Sequence, residues 1–192
     1  MPHQTLSLLL EYNQNPHKVC SSDKEQLVDQ TLGAMKHYMV NQDVKDTIKM
    51  LLSTENFLRK AITKPETLPL SVGDVAYIDF GHAYLHEAGY QHFGLVLSMT
   101  NGKLFVVPMT SNPVAYAQAY DAELSPHGKK HLMRVGILPG LVRPSVLFLN
   151  DSKFISATRI IEIKGHLSIA DPLFKHILGR VRTTIFHDEG SS

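Results

Sequence analysis

The sequence predicts an α+β protein: a small antiparallel β-barrel over roughly Leu70–Lys164, preceded by a helical hairpin and followed by a terminal helix. Three observations carry this prediction. Helical periodicity is confined to residues 22–62, five short β-rich runs follow Leu70, and tight-turn residues separate the runs. With 192 residues, 43% hydrophobic and 19% charged, the chain has room for one ordinary domain or a small domain with an extension.

The first nineteen residues support no more than a short helix. Ser22-Asp23-Lys24-Glu25 has the capping-box pattern, in which a serine oxygen and a glutamate satisfy each other's orphan amides. Behind it Val28, Leu32, Met35 and Met39 recur at helical spacing. Asn41 or Asp43 opens a second helix, whose stripe is Val44, Ile48, Leu51, Leu58 and Ile62. Stripes of this kind usually serve a core, so both helices are expected to pack on the chain's own body. Pro65 and Pro69 end this region, because proline removes an amide donor and drives its predecessor out of the helical basin. Residues 1–64 are therefore read as a helical extension and 65–192 as the barrel domain.

Asp74–Phe80, Phe93–Ser98 and Leu104–Pro108 read as the first three strands, with Asn101-Gly102 as a type I′ turn between the last two. Ser145–Leu149 and Phe154–Ile163 supply two more, divided by Asn150-Asp151-Ser152. Five short strands with tight turns point to a barrel. The stretch 112–143 is too long for a turn and is read as an insertion with a helix or ordered excursion of its own. Asp171-Pro172 starts the terminal helix, with Leu173, Phe174, Ile177, Leu178 and Val181 on its buried side.

Composition limits the chemistry. The net charge is +1, so a nucleic-acid surface has to come from local clustering. One cluster exists: His127, Lys129, Lys130, His131 and Arg134, with Glu123 the nearest acid. Its plain reading is a solvated loop or helix face. Cys20 is the single cysteine, so no internal disulfide forms. No apolar run approaches the length of a membrane span, and the opening residues lack the basic region of a secretory signal; a cytoplasmic protein is expected. Metal-ligand spacing, a phosphate-cradling glycine loop and a G-x-S-x-G elbow are all missing from the sequence, so no cofactor is expected.

The segment Val72–Ser111 is the informative one. It contains Gly73-Asp74-Val-Ala-Tyr-Ile-Asp-Phe80, a loop with Glu87 and Gly89, then Gln91-His92-Phe93-Gly94-Leu-Val-Leu97, and closes with Val106-Val107-Pro108-Met109-Thr110-Ser111. Together with Ser145–Asn150, Lys153 and Arg159, this resembles the MazF/PemK family of toxin endoribonucleases, over Leu70–Ser111 and Ser145–Lys164. The resemblance implies an SH3-like (MazF-like) barrel, a homodimer, control by an antitoxin, and metal-independent cleavage of single-stranded RNA by the ribose 2′-oxygen. That reaction needs a base, an acid and donors facing the phosphorane. Carried over residue by residue, the family's strand-2 arginine falls on His92 and its strand-3 hydroxyl on Thr110, with Ser111 beside it and Glu87 in the loop. Lys153 falls where the family has a basic residue near its RNA groove.

The chain departs from the family where Arg-Pro becomes His92-Phe93. A permanent cation is replaced by a group that titrates near neutrality. Retained proton-transfer chemistry and a barrel that binds RNA or protein without cutting are both open at this point. In the nuclease context Lys129, Lys130, His131 and Arg134 become candidate phosphate contacts, and Tyr84, His86 and Tyr90 candidate base-stacking groups. The same basic run, including Gly128-Lys-Lys-His131, would suit an RNA antitoxin, whereas a protein antitoxin is expected to need a hydrophobic groove. The helical extension is read as a cover, a partner-recruiting element, or a built-in inhibitor.

Overall fold

The computed structural model describes residues 2–63, 68–121 and 123–186. Pro65, expected to end the helical region, lies outside the described residues. The chain forms two compact units, divided between Ile48 and Lys49.

The first unit holds α1 (Pro2–Gln14), α2 (Ser21–Val40) and the start of α3 (Val44–Ile62). α2 begins two residues earlier than its sequence pattern predicts. Cys20 is the N-cap, and the Cys20 backbone amide donates to Asp23 Oδ2 at 3.3 Å, so Asp23 takes the part expected of Glu25. Ser22 falls inside the first turn, where its hydroxyl lies 2.9 Å from the Cys20 thiol. Asp43 opens α3 by accepting from the Asp46 amide at 2.9 Å, while Asn41 closes α2 by donating to the His37 carbonyl.

Most of the apolar stripes do not serve a core as expected: Met39 is buried and Met35 half-buried, but the other positions are open. Val28, Leu32, Val44, Ile48, Leu51, Leu58 and Ile62 are all exposed, Ile62 by 82%. In the second unit the reason is plain for α3: its opposite, polar face is the one that docks.

The second unit is an eight-stranded, mostly antiparallel sheet with α5 (Pro172–Ile185) against one face. The strands are β1 (Asp74–Asp79), β2 (Gln91–Thr100), β3 (Lys103–Thr110), β4 (Ala119–Tyr120), β5 (Lys129–Gly136), β6 (Ser145–Phe148), β7 (Lys153–Ser156) and β8 (Ile160–His166). Their order is β4-β5-β6-β3-β2-β1-β8, with β7 also on β3. The helix α4 (Pro113–Gln118) precedes β4. The path is open: β4 and β8 end it, and no ladder joins them among the described residues. The closed barrel expected from five strands is thus an open, curled sheet. Curling comes from β3, whose free edge pairs β6 at Met109–Thr110 and β7 at Lys103–Val106, and from bulges between Val96 and Ser98.

The expected strand Phe154–Ile163 is two strands, split by a 3-10 turn at Ala157–Arg159. The basic run expected on a loop or helix face opens β5 instead.

Both sheet faces are covered, which explains why the strands read as nearly continuous apolar runs. Val75, Leu95, Val107, Met109 and Leu147 pack with Phe174, Ile177 and Val181 of α5. Ala76, Ile78, Val96, Leu104, Val106, Ile155 and Ile160 fill the other side, inside the curl. Leu178, expected on the buried side of α5, is exposed; Leu173 is half-buried. Two glycines are obligatory. Asn101 and Gly102 sit at φ 46° and 73°, as a type I′ turn demands. Gly73, at φ 99°, has no room for a side chain, because a Cβ would lie 2.2 Å from the Leu167 carbonyl oxygen. The buried Asp74 next to it bonds the Ser71 amide and His166 Nδ1 at 2.7 and 2.9 Å. The Gly73-Asp74 opening is therefore an architectural joint.

Candidate active site

His92 lies in β2, opposite Ile78 of β1. On its other side β2 runs along β3 in the register Phe93–Met109 and Gly94–Pro108, which carried one residue further sets His92 level with Thr110. Side chains alternate along a strand. His92 accordingly shares the face of Gly94 and Val96, while Phe93 turns to the other face and packs on Tyr77, ring centres 5.2 Å apart.

Burial pushes the His92 imidazole below its ordinary value, and the Lys49 ammonium pushes it the same way. A hydrogen bond to the Met109 backbone and the Asp151 carboxylate oppose them without reversing the shift. The shift favours the neutral imidazole. The bond to the Met109 backbone orients the imidazole.

Asp151, at the end of the 3-10 turn Leu149–Asp151, links three elements. Its Oδ2 accepts from the Ala88 amide at 2.5 Å and its Oδ1 pairs with Lys153 Nζ at 2.7 Å. Lys153 Nζ also stands 5.8 Å above the Phe80 ring. The loop between β1 and β2 is thereby tied to β7 beside His92. Within that loop Glu87 is exposed, and its Oε2 accepts from the Tyr84 amide at 3.2 Å. That contact holds the loop's own turn. Tyr90 packs edge-on against His82, whereas Tyr84 is 86% exposed and His86 is exposed as well.

The Thr110 hydroxyl accepts from the Asn112 amide at 3.2 Å, fixing the exit from β3. Ser111 follows on the wall of an open, apolar pocket of about 330 Å³ formed with Pro113, Tyr116, Ala117, Arg143 and Pro144.

The basic run divides. Lys129 donates to Gln118 Oε1 at 2.9 Å, and the Lys130 carbonyl accepts from Arg180 of α5 at 2.7 Å, which leaves the exposed Lys130 side chain outward. His131 is half-buried. Arg134 is a strut: its guanidinium donates to the Tyr116 and Ala117 carbonyls at 2.9 and 3.4 Å, pairs with Asp121 at 3.5 Å, and covers the Tyr116 ring at 5.0 Å. It pins α4 to β5.

Sequence reasoning missed the part played by α3. The buried Asp79 carboxylate at the end of β1 accepts from Ser53 Oγ at 2.5 Å, Asn56 Nδ2 at 3.0 Å and the Gly81 amide at 3.0 Å. Gln91, next to His92, donates to Ser53 Oγ at 3.0 Å and to the Lys49 carbonyl at 3.3 Å. Lys60 donates to the Thr158 and Ile160 carbonyls; burial, then Arg59, lowers its pKa, with Asp79 opposing. The available signal was a polar stripe, Lys49-Ser53-Asn56-Lys60 at spacings of four, three and four, on the side of the helix away from the apolar one.

No protein-family model matches this chain, and no curated protein does. Solved structures similar to it are MazF toxins. MazF (Form-I) from Deinococcus radiodurans has 17% identity and a TM-score of 0.45, over 62% of this chain and 97% of that one. MazE-MazF (Form-II) from the same organism has 17% identity and a TM-score of 0.40, over 66% and 100%. The Mycobacterium tuberculosis toxin MazF-mt6 has 15% identity and a TM-score of 0.38, over 58% and 98%. Identities and scores this low transfer neither a mechanism nor a residue role. No described helix is long and apolar enough to cross a membrane.

Proposed function

We propose that this chain is a toxin-type endoribonuclease that cleaves single-stranded RNA without metal, acts in the cytoplasm as a homodimer, and is restrained by an antitoxin of protein or RNA. The observation that supports it is the place of His92 and Thr110 one residue beyond the Phe93–Met109 pair of β2 and β3, with burial pushing the imidazole below its ordinary value. A neutral imidazole is the form that accepts a proton, and a base near its working pH is the effective one. His92 takes the 2′-hydroxyl proton as the 2′-oxygen bonds phosphorus. The phosphorus–5′-oxygen bond breaks, and the leaving oxygen takes a proton from water. Thr110 and Ser111 offer hydroxyl donors to the phosphorane oxygens. Glu87 keeps the β1–β2 loop folded over the site, and Lys153, Lys129, Lys130 and His131 face the RNA backbone. Arg134 supports that surface through α4.

The test is incubation of the purified protein with a long single-stranded RNA in EDTA, beside His92→Ala. Discrete cuts ending in cyclic phosphate, lost in the variant, support the reading. Intact RNA at high protein concentration overturns it in favour of a barrel-like binding module.

A further inference from the structure

We propose that the open pocket beyond Thr110 is a nucleobase subsite: it seats one base of the RNA strand, with Arg143 on the adjoining phosphate. This rests on the nuclease reading for the identity of the strand. The place of the pocket follows from strand register. Thr110 of β3 pairs with Val146 of β6, and Val146 pairs in turn with Arg134 of β5. Directly opposed residues share a sheet face, so these three form one row across one face. Leu132 shares that face and packs with Val146 and Tyr116. α5 covers the other face, through Met109, Met133 and Leu147. His92 lies one residue beyond the Phe93–Met109 pair, and Ser111 of the pocket wall follows Thr110 directly, about 3.8 Å on along the chain. A base seated there belongs to a nucleotide next to the phosphate at His92 and Thr110.

The lining states what fits. Pro113, Tyr116, Ala117 and Pro144 offer apolar and aromatic surface, and no lining residue is acidic. Tyr116 is set in place before anything binds: Arg134 covers its ring at 5.0 Å and bonds its carbonyl at 2.9 Å. The wall is also tied to the strand end. Thr110 Oγ1 accepts from the Asn112 amide, and Asn112 Oδ1 accepts from the Val114 amide at 2.8 Å, at the start of α4. A fixed aromatic wall suits stacking by any flat base. At about 330 Å³ the pocket stands at the lower end of the roughly 300–1,000 Å³ of small-molecule sites, room for one ring system. Arg143 lines the same pocket and is exposed, and its guanidinium has no partner among the described residues. A bare guanidinium beside an apolar slot selects a ligand with a flat apolar face joined to an anion, which describes a nucleotide.

The experiment uses the full chain as wild type, Ala117→Leu, which fills the pocket, and Arg143→Gln. Binding of a fully 2′-O-methylated single-stranded oligonucleotide, which cannot be cut, is measured against salt. It is measured again with one position at a time made abasic, and cut sites on a long unmodified RNA are mapped in parallel. Thermal unfolding verifies the fold. The inference predicts one position where base removal weakens wild-type binding about tenfold, the worth of one stacked base. Ala117→Leu should show that loss already and lose nothing more at that position, and its cut sites should be less sequence-selective. Arg143→Gln should lower the log K–log[salt] slope by about 0.7, the value of one phosphate contact on a single strand. Folded Ala117→Leu that binds as wild type does, and loses as much on base removal, overturns the inference even if wild type cuts RNA, and leaves the pocket to a protein side chain. If Ala117→Leu does not fold, an unchanged slope in Arg143→Gln overturns it. Wild type that never cuts, but binds with the pocket-dependent position, removes the nuclease reading and keeps the subsite. Wild type that binds no RNA removes both.

Discussion

Ser53 Oγ and Asp79 Oδ1 meet at 2.5 Å across 26 residues of sequence, and both side chains are buried. Asp79 also accepts from Asn56 and from the Gly81 amide. Removing the carboxylate leaves those buried donors unpaired, and unpaired buried donors each cost on the order of 1–3 kcal/mol. Asp79→Ala is expected to destabilise the protein by about 3 kcal/mol and Ser53→Ala by about 1 kcal/mol. Urea unfolding measures both, and a double-mutant cycle should show coupling between them. Additive effects would contradict a shared network.

His92→Ala and Thr110→Ala are expected to keep the fold. The first should lower RNA cleavage by about 10²–10⁴-fold, the range of a lost general base. Equal cleavage by His92→Ala and wild type would remove the imidazole from the mechanism.

The shift of His92 has a sign in both activity and stability. Cleavage should rise with pH through a midpoint below 6.5 and then level off across neutrality. Because the folded value lies below the unfolded one, the unfolded chain binds more protons between the two. Stability from this group is therefore present above pH 6.5 and lost as pH falls through the folded value. Unfolding at pH 5 and 7.5, compared with His92→Gln, checks it: the wild type should lose more stability on acidification than the variant does.

Asp151→Ala breaks the ties to Ala88 and Lys153 together. The β1–β2 loop should become the first site of limited proteolysis, while β2 and β3 keep their hydrogen-exchange protection. A loop as resistant as in wild type would show that Asp151 does not hold it.

Leu58→Ser and Ile62→Ser, both on exposed positions of α3, should change unfolding free energy by less than about 0.5 kcal/mol. A large loss would mean that the stripe is covered in the folded protein.

Much of the sheet was legible because its signals are local. Asn101-Gly102 dictates a turn by backbone sterics, and Asp171-Pro172 a helix start by capping. β5 was not legible: its first residues, Lys129 and Lys130, are exposed and charged, and only Leu132, Met133 and Val135 behind them are buried. Splitting of the last strand pair was hidden for a similar reason, since Ala157-Thr158-Arg159 has no residue that forbids extended backbone. At the site, motif order singled out His92 and Thr110, which lie one residue beyond the Phe93–Met109 pair of β2 and β3. Asp79 and Gln91 passed as ordinary strand residues, because their meaning depends on a helix about thirty residues earlier. The apolar periodicity of α3 drew attention to the wrong side of that helix.

The polar docking of α3 also fixes where it can stop. Apolar contacts tolerate sliding, since one methyl serves nearly as well as the next. Hydrogen bonds require a donor and acceptor within a few tenths of an ångström and in line. A one-turn slip of α3 would break the contacts of Ser53, Asn56 and Lys60 together. The helix therefore has a single stopping point along its own axis, as a key has in a lock.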